Sequence, residues 1–327
     1  MSGFENYSLL EAMAKARSRS SWNDRLAHWE RPASDSEEQQ IERAANMVRT
    51  ALSGNKRLND EGVTIRPQGS YYNNTNVRLE SDMDLRANHP SIKIEYAPNV
   101  VVEAANTLLG IYNISRTYRD IAQEMRNNLM IELTKEFGAA NIDASGKKAI
   151  RLKKQPGTRA DVDIAPAFNY RWVIWNSYTE KYVVEEGIAI LATDGTWTHN
   201  FPEQHNTNGI AKRARTKHRF KRNVRALKRL RDELVTSYEL RPKQAPSFLI
   251  ESLTYAVEDE YFLIDSDDRY FRALRILYRL DELLNDPRWV GDATEINEIK
   301  YLFRPAQPWS IDDAKAFVWA AINRLEV

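Results

Sequence analysis

The chain has 327 residues, 42% of them hydrophobic, with a formal net charge of +1 and no cysteine. That length supports a sizeable core or two packed lobes, and the near-neutral balance argues against a general pull toward nucleic acid or membrane. The lack of cysteine excludes disulfides, thiolate zinc sites and a cysteine nucleophile, and it suits a reducing cytoplasm.

Residues 1–22 carry an amphipathic helical pattern with acids in it, which is unlike a secretory signal, and no apolar run approaches membrane-spanning length. Ser36 to Ala51 reads as a helix capped by Ser36, with Ile41, Ala45, Val48 and Leu52 on one face. Val63 to Ile65 is a short strand running through Pro67 into a Gly69-Ser70 turn. Asp82-Met83-Asp84-Leu85 alternates acid and apolar residue, the period of a strand. Both carboxylates then share one face, while Met83 and Leu85 point to a core. Two neighbouring anions raise each other's pKa unless a cation cancels the charge, and a divalent ion does this best. Residues 98–112 and 115–137 read as helices, and 148–153 and 160–168 as strands. The aromatic stretch 170–200, with Trp172, Trp175 and Trp197, reads as further strand and loop. Beyond it helices are predicted over 209–235, 246–258, 268–285 and 310–325, punctuated by prolines at 242, 246, 287, 305 and 308. The expected fold class is α+β, with a mixed sheet and its helices over 1–204 and a helical lobe over 205–327.

Ala160 to Pro166 is a second alternating strand, with Asp161 and Asp163 on one face. Three acids on neighbouring strands beside a Gly-Ser turn would hold two Mg²⁺ ions, or Mn²⁺, about 3.5–4 Å apart. Aspartates without a histidine cluster suit such hard, oxygen-seeking ions. Gly69 lets backbone approach a phosphate, and the Ser70 hydroxyl can donate to a phosphate oxygen. Taken singly, Gly-Ser is a turn and Asp-x-Asp a solvated strand face; the chemistry rests on the set, with eleven residues between Ser70 and Asp82. His199 and His205 read as structural. Asp265 to Asp268 reads as a helix cap, since a calcium loop would need a turn glycine and a final glutamate. No P-loop or Rossmann glycine pattern is present. Over Ala211–Leu234 a continuous helix is predicted, with Lys217, Lys221 and Lys228 within about 40° of one another on the wheel, beside an apolar stripe of Phe220, Val224, Leu227 and Leu234. Such a ridge could offer cations to a cleft.

The spacing GS…(D/E)h(D/E)h…h(D/E)h resembles the DNA polymerase β-like nucleotidyltransferases. GSYYNNTNVRLESDMDL and DVDIAPAFNYR are similar, more closely, to the cGAS/DncV-like nucleotidyltransferases (CD-NTases) of bacterial CBASS anti-phage systems, relatives of oligoadenylate synthetase and cyclic GMP-AMP synthase. NFPEQHNTNGIAKRARTKHRFKRNVRALKRLRDEL and APSFLIESL resemble that family's helical lobe. The resemblance implies a bilobed, polymerase β-like catalytic core over 1–204 and a helical lobe over 205–327 that closes over the nucleotides. It implies that Asp82 and Asp84 hold both metals, and that Asp163, with Asp161 as the alternative, completes the site and helps deprotonate the acceptor hydroxyl. Ser70 would touch the triphosphate, Lys228 and Ser247 the donor's phosphates, and Phe248 would stack on a base where animal relatives often carry Tyr. Asn169 could read a base edge. The implied activity is two-metal joining of NTPs, ATP with another NTP, into a cyclic di- or oligonucleotide second messenger, with pyrophosphate released. Bases, 2′–5′ or 3′–5′ linkage and ring size stay open. A cytoplasmic monomer without a nucleic-acid activator, whose product is sensed by an effector protein encoded nearby, is expected. The rival readings are a nucleotidyltransferase acting on tRNA, an RNA end or a small molecule, and an inactive nucleotide- or RNA-binding scaffold.

Overall fold

The computed structural model describes residues 3–32, 35–77, 83–110, 116–264 and 266–326, with backbone alone for 3–15 and 35–37. In chain order the elements begin with α1 (Gly3–Trp29), α2 (Asp35–Ser53), α3 (Lys56–Asp60), β1 (Thr64–Gln68) and α4 (Gly69–Tyr72). Then come β2 (Met83–Tyr96), α5 (Val102–Leu109), α6 (Tyr118–Phe137), β3 (Ile142–Asp143), β4 (Ile150–Leu152), β5 (Val162–Asn176), β6 (Lys181–Leu191) and β7 (Trp197–Asn200). The rest is helical: α7 (Pro202–Arg215), α8 (Arg219–Thr236), α9 (Ser247–Ala256), α10 (Arg269–Leu284), α11 (Pro287–Asp292) and α12 (Ile311–Glu326). No helix among the described residues is long and apolar enough to cross a membrane.

Two compact units result. A sheet unit comprises Ala33–Asn73 and Arg78–Glu203, and a helical unit comprises Met1–Pro32, Asn74–Val77 and Gln204–Val327. The sequence expectation groups the first helix with the sheet. Its Trp22 and Leu26 instead bury themselves in the helical core, which is why α1 belongs there by packing.

In the sheet unit the strand order is β1-β2-β5-β4-β3, with β6 on β5 and β7 on β6. β2 and β5 are parallel neighbours, and the other pairs are antiparallel. The sheet is therefore mixed, as the alternating patterns predict. Pro67 is tolerated because β1 is an edge strand, opposite Leu85. β2 runs on past the predicted strand: a register shift between His89 and Ile92 absorbs Pro90, and pairing with β5 resumes to Tyr96. On one face Met83, Leu85, Val162, Ile164, Ile150 and Leu152 are buried against Ile41, Val48 and Leu52 of α2 and Ile121, Met125 and Leu129 of α6. Each such side chain stabilises the fold by roughly 1.5–3 kcal/mol. Strict alternation sends the intervening polar residues to the opposite face.

The helical unit closes around Leu227, Leu230, Leu249, Leu253, Ile276 and Phe317. The continuous helix predicted over Ala211–Leu234 is in fact two. Lys217 and His218 have φ of +51° and +66° between α7 and α8. Thr216 makes the break workable: its hydroxyl donates to the Lys212 carbonyl and accepts from the Phe220 amide, capping both ends. The predicted cap at Asp268 is present, its carboxylate accepting from the Phe271 amide.

Candidate active site

The register places the acids. In the antiparallel β1–β2 pair Gln68 faces Asp84, and in the parallel β2–β5 pair Asp84 faces Asp163. Neighbouring strands lie about 4.8 Å apart and register partners project to the same side. Asp84 and Asp163 are thus side by side on the face opposite the apolar core, each half-buried between fully buried neighbours. Asp82 lies outside the described residues.

Gly69 begins α4 with φ +72°, in the left-handed region where side chains are strained. A Cβ built there would overlap Asp84 Oδ2 and come within 2.8 Å of its Cγ. The glycine is required because the turn bearing Ser70 is pressed against the Asp84 carboxylate. Asp163 is held by a residue that the sequence reading missed. Arg151, its register partner on β4, donates from Nε to Oδ1 and from Nη2 to Oδ2, both at 2.8 Å. Its place in the alternating Ile150-Arg151-Leu152 strand is the signal that could have found it. Asp161 is not part of this pair of acids: its Oδ1 accepts from the Lys154 amide at 2.8 Å.

Farther along the same face, Arg86 and Asn88 continue the alternation from Asp84. Their partners on β5 are Ala165 and Ala167, small enough to leave the width of the face to the longer side chains. A cavity of ≈ 360 Å³ opens here, lined by Thr64, Arg66, Arg86, Asn88, Asn169 and Glu203 among others. The Asn169 amide is fixed at both ends: Oδ1 accepts from Asn88 Nδ2 at 2.8 Å, and Nδ2 donates to the Pro90 carbonyl at 3.1 Å. Asn88 Oδ1 is buried with no partner among the described residues. Arg86 donates from Nη2 to Glu203 Oε1 at 2.8 Å, and Tyr72 donates to Glu203 Oε2 at the same distance. Burial pushes the Glu203 carboxyl up. The Arg86 and Tyr72 hydrogen bonds, with the charges of Arg86 and Arg66, outweigh that and hold it below the usual carboxylate range.

In the helical unit the remaining expected contacts separate. Ser247 opens α9, half-buried, and its hydroxyl accepts from Arg231 Nη2 at 3.3 Å. Phe248 is half-buried, with ring centroids of His205 and Trp309 at 5.5 and 6.0 Å. Lys228 does not present its charge to a ligand. It is 1% exposed. Its Nζ donates to the Thr75 carbonyl at 2.8 Å and to Glu251 Oε1. Thr75 Oγ1 adds a bond to the same carboxylate, and His205 Nε2 lies 3.4 Å from its other oxygen. Burial would raise the Glu251 carboxyl, but Lys228 and His205 reverse this and hold it at about 2. The ridge of three lysines does not form, because Lys217 lies in the break and Lys221 is buried too.

Among the described residues no three His, Asp or Glu side chains converge on a point. The two acids that are described nonetheless suit a divalent ion. They offer hard oxygens from adjacent strands, with Arg151 on both oxygens of Asp163 and the Gly69 turn packed against Asp84.

Comparison with known proteins gives a consistent picture. Residues 207–326 match the cGAS/DncV-like nucleotidyltransferase C-terminal helical domain. The cyclic dipyrimidine nucleotide synthase CdnE of Legionella pneumophila is 32% identical over 93% of this chain and 98% of its own length. The cyclic dipurine nucleotide synthase of Elizabethkingia meningoseptica is 29% identical over 92% of this chain and 97% of its own. The solved Elizabethkingia meningoseptica CdnE cyclic dinucleotide synthase, with GTP and Apcpp, superposes with a TM-score of 0.72 at 25% identity, over 93% of this chain and 98% of that one.

Proposed function

The chain belongs to the bacterial cGAS/DncV-like nucleotidyltransferases, and on that premise we propose that it joins two NTPs, at least one of them a pyrimidine nucleotide, into a cyclic dinucleotide. The observation that carries the chemistry is the Asp84–Asp163 register on parallel strands, with the Gly69-Ser70 turn against Asp84. In each transfer a ribose hydroxyl oxygen of one nucleotide bonds to the α-phosphorus of the other. The bond from that phosphorus to the bridging oxygen of the β-phosphate breaks, and pyrophosphate leaves. Asp163 takes the hydroxyl proton. Arg151 orients the Asp163 carboxylate through both oxygens, and Ser70 donates to the triphosphate of the donor. Asp82, Asp84 and Asp163 would hold Mg²⁺ or Mn²⁺, which would supply the positive charge that the in-line displacement needs. A second transfer, with the two nucleotides exchanging roles, closes the ring.

Two relatives named as dipyrimidine synthases, from Legionella pneumophila at 32% identity and Cecembia lonarensis at 29%, support the pyrimidine assignment. In this chain the fixed Asn88–Asn169 amide pair supports it as well. The buried, unpartnered Asn88 Oδ1 is an acceptor that a base N–H would satisfy. In the helical unit the reading keeps Ser247 for a phosphate and Phe248 for base stacking, and it gives Lys228 a structural role. The product would serve as a second messenger in anti-phage defence, sensed by an effector protein.

The test is incubation of the protein with four α-labelled NTPs and Mg²⁺ and no other acceptor. A phosphatase-resistant product whose mass is that of a cyclic dinucleotide containing a pyrimidine is expected. Label that appears only when tRNA or a small-molecule acceptor is added would overturn the reading in favour of a different nucleotidyltransferase.

A further inference from the structure

Arg66 and Arg86 are direct register partners in the antiparallel β1–β2 pair. Register partners have Cβ atoms about 4.5–5.5 Å apart, and like charges so placed repel. Arg86 is only 4% exposed, yet its Nε and Nη1 are buried without a hydrogen-bond partner among the described residues. A buried guanidinium with idle donors is costly, and natural structures keep such groups where something else satisfies them. The acids near this pair are already engaged. Both oxygens of Glu203 are used, one by Arg86 and one by Tyr72, and Glu186 Oε1 lies 3.4 Å from Arg171 Nη2. Arg66 is exposed and makes no hydrogen bond or ion pair within 4 Å among the described residues. The pair borders the ≈ 360 Å³ cavity. It sits two residues from Asp84 along β2, about 7 Å, on the side away from the Ser70 turn.

The proposed reaction sets a requirement at that position. The nucleotide that supplies the attacking hydroxyl keeps its own 5′-phosphates through the first transfer. Those phosphates must lie about one ribose away from the acids, and not on the Ser70 side, where the donor's triphosphate goes. We propose that Arg86 and Arg66 form an anion subsite that holds the 5′-phosphates of the acceptor nucleotide. The Arg86–Glu203–Tyr72 chain of hydrogen bonds ties this subsite to α4, which carries Ser70. This inference rests on the transfer reaction proposed above.

A single-transfer assay isolates it. Nucleosides and nucleoside monophosphates cannot donate, because they lack a pyrophosphate leaving group, so they act only as acceptors and give linear products. The wild-type enzyme is given α-labelled NTP donors with Mg²⁺, and each unlabelled nucleoside or its 5′-monophosphate as acceptor. The expected kcat/KM is about 10- to 100-fold higher for the monophosphate, the size of a charge-assisted contact. Arg86→Gln and the exposed Arg66→Gln should each lose markedly more activity with the monophosphate than with the nucleoside, and Arg86→Lys should recover part of the difference. A loss equal for both acceptors, or a change in base preference alone, would overturn the subsite. Wild-type enzyme that yields neither linear nor cyclic product would instead overturn the transfer reaction itself.

Discussion

Replacing Glu251 by Gln tests how the helical unit is held together. Glu251 is 3% exposed, and its partner Lys228 is 1% exposed. The carboxylate takes the Lys228 ammonium and the Thr75 hydroxyl, and it faces His205. Gln keeps the shape and removes the charge, so Lys228 is left buried without a counter-ion. Removing one partner from a buried ion pair costs about 3–5 kcal/mol, a large share of the total stability of a domain, roughly 5–15 kcal/mol. Urea unfolding at pH 7 should show that loss, and Lys228→Met with Glu251→Leu should lose less than Glu251→Gln alone. The pH dependence has a definite sign. The folded carboxyl sits at about 2, below the unfolded value of about 4.3. Its contribution is therefore complete above the unfolded pKa and is lost as pH falls from there through the folded one. The stability gap between wild type and Glu251→Gln should close as pH falls below about 4, where the wild-type carboxyl begins to lose its charge on unfolding and then in the folded state. A loss under about 1 kcal/mol at pH 7, or a gap that widens in acid, would refute the reasoning.

Asp84→Asn should reduce the transfer rate by on the order of 10³-fold while leaving the unfolding midpoint close to wild type, as initial rates and circular dichroism would show. Gly69→Ala should cost about 1–2 kcal/mol for its left-handed backbone and should also lose activity, because the new Cβ displaces the Asp84 carboxylate. Gly110→Ala, with φ +62° and nothing within 4 Å of the added atom, should show the stability loss without the loss of rate. Lys221 is buried, and its pKa is pushed down to about 8 by burial and then by the charge of Arg213. Because that lies below the unfolded value of about 10.4, the folded state gains stability as pH rises between the two. Lys221→Met should therefore be more stable than wild type by about 3 kcal/mol at pH 7, and the difference, followed by urea unfolding, should shrink between pH 8 and 10.

How far the sequence could be read depends on the range over which each cause acts. The acid strands were legible because alternation is local: Met83 and Leu85, like Val162 and Ile164, declare the buried face and leave the aspartates on the other. The full length of β2 was not, because only pairing with β5 carries the strand through the shift at Pro90. Arg86 and Asn88, just before that shift, were therefore overlooked although they continue the same alternation. The break between α7 and α8 holds neither glycine nor proline, and its cause is a single hydroxyl, Thr216, serving both helix ends. Lys228 shows the limit of periodicity most sharply. On the helical wheel it lies where the basic ridge meets the apolar stripe, a position compatible with either solvent or core. The deciding sign was in another helix. Glu251 interrupts the apolar run Phe248-Leu249-Ile250-Glu251-Ser252-Leu253, and a carboxylate in so apolar a face needs a cation of its own. A lone acid in one helix and a borderline lysine in the other together specify a buried pair, which leaves the cations for phosphate to the polar face of the sheet, where Arg66 and Arg86 stand opposite each other.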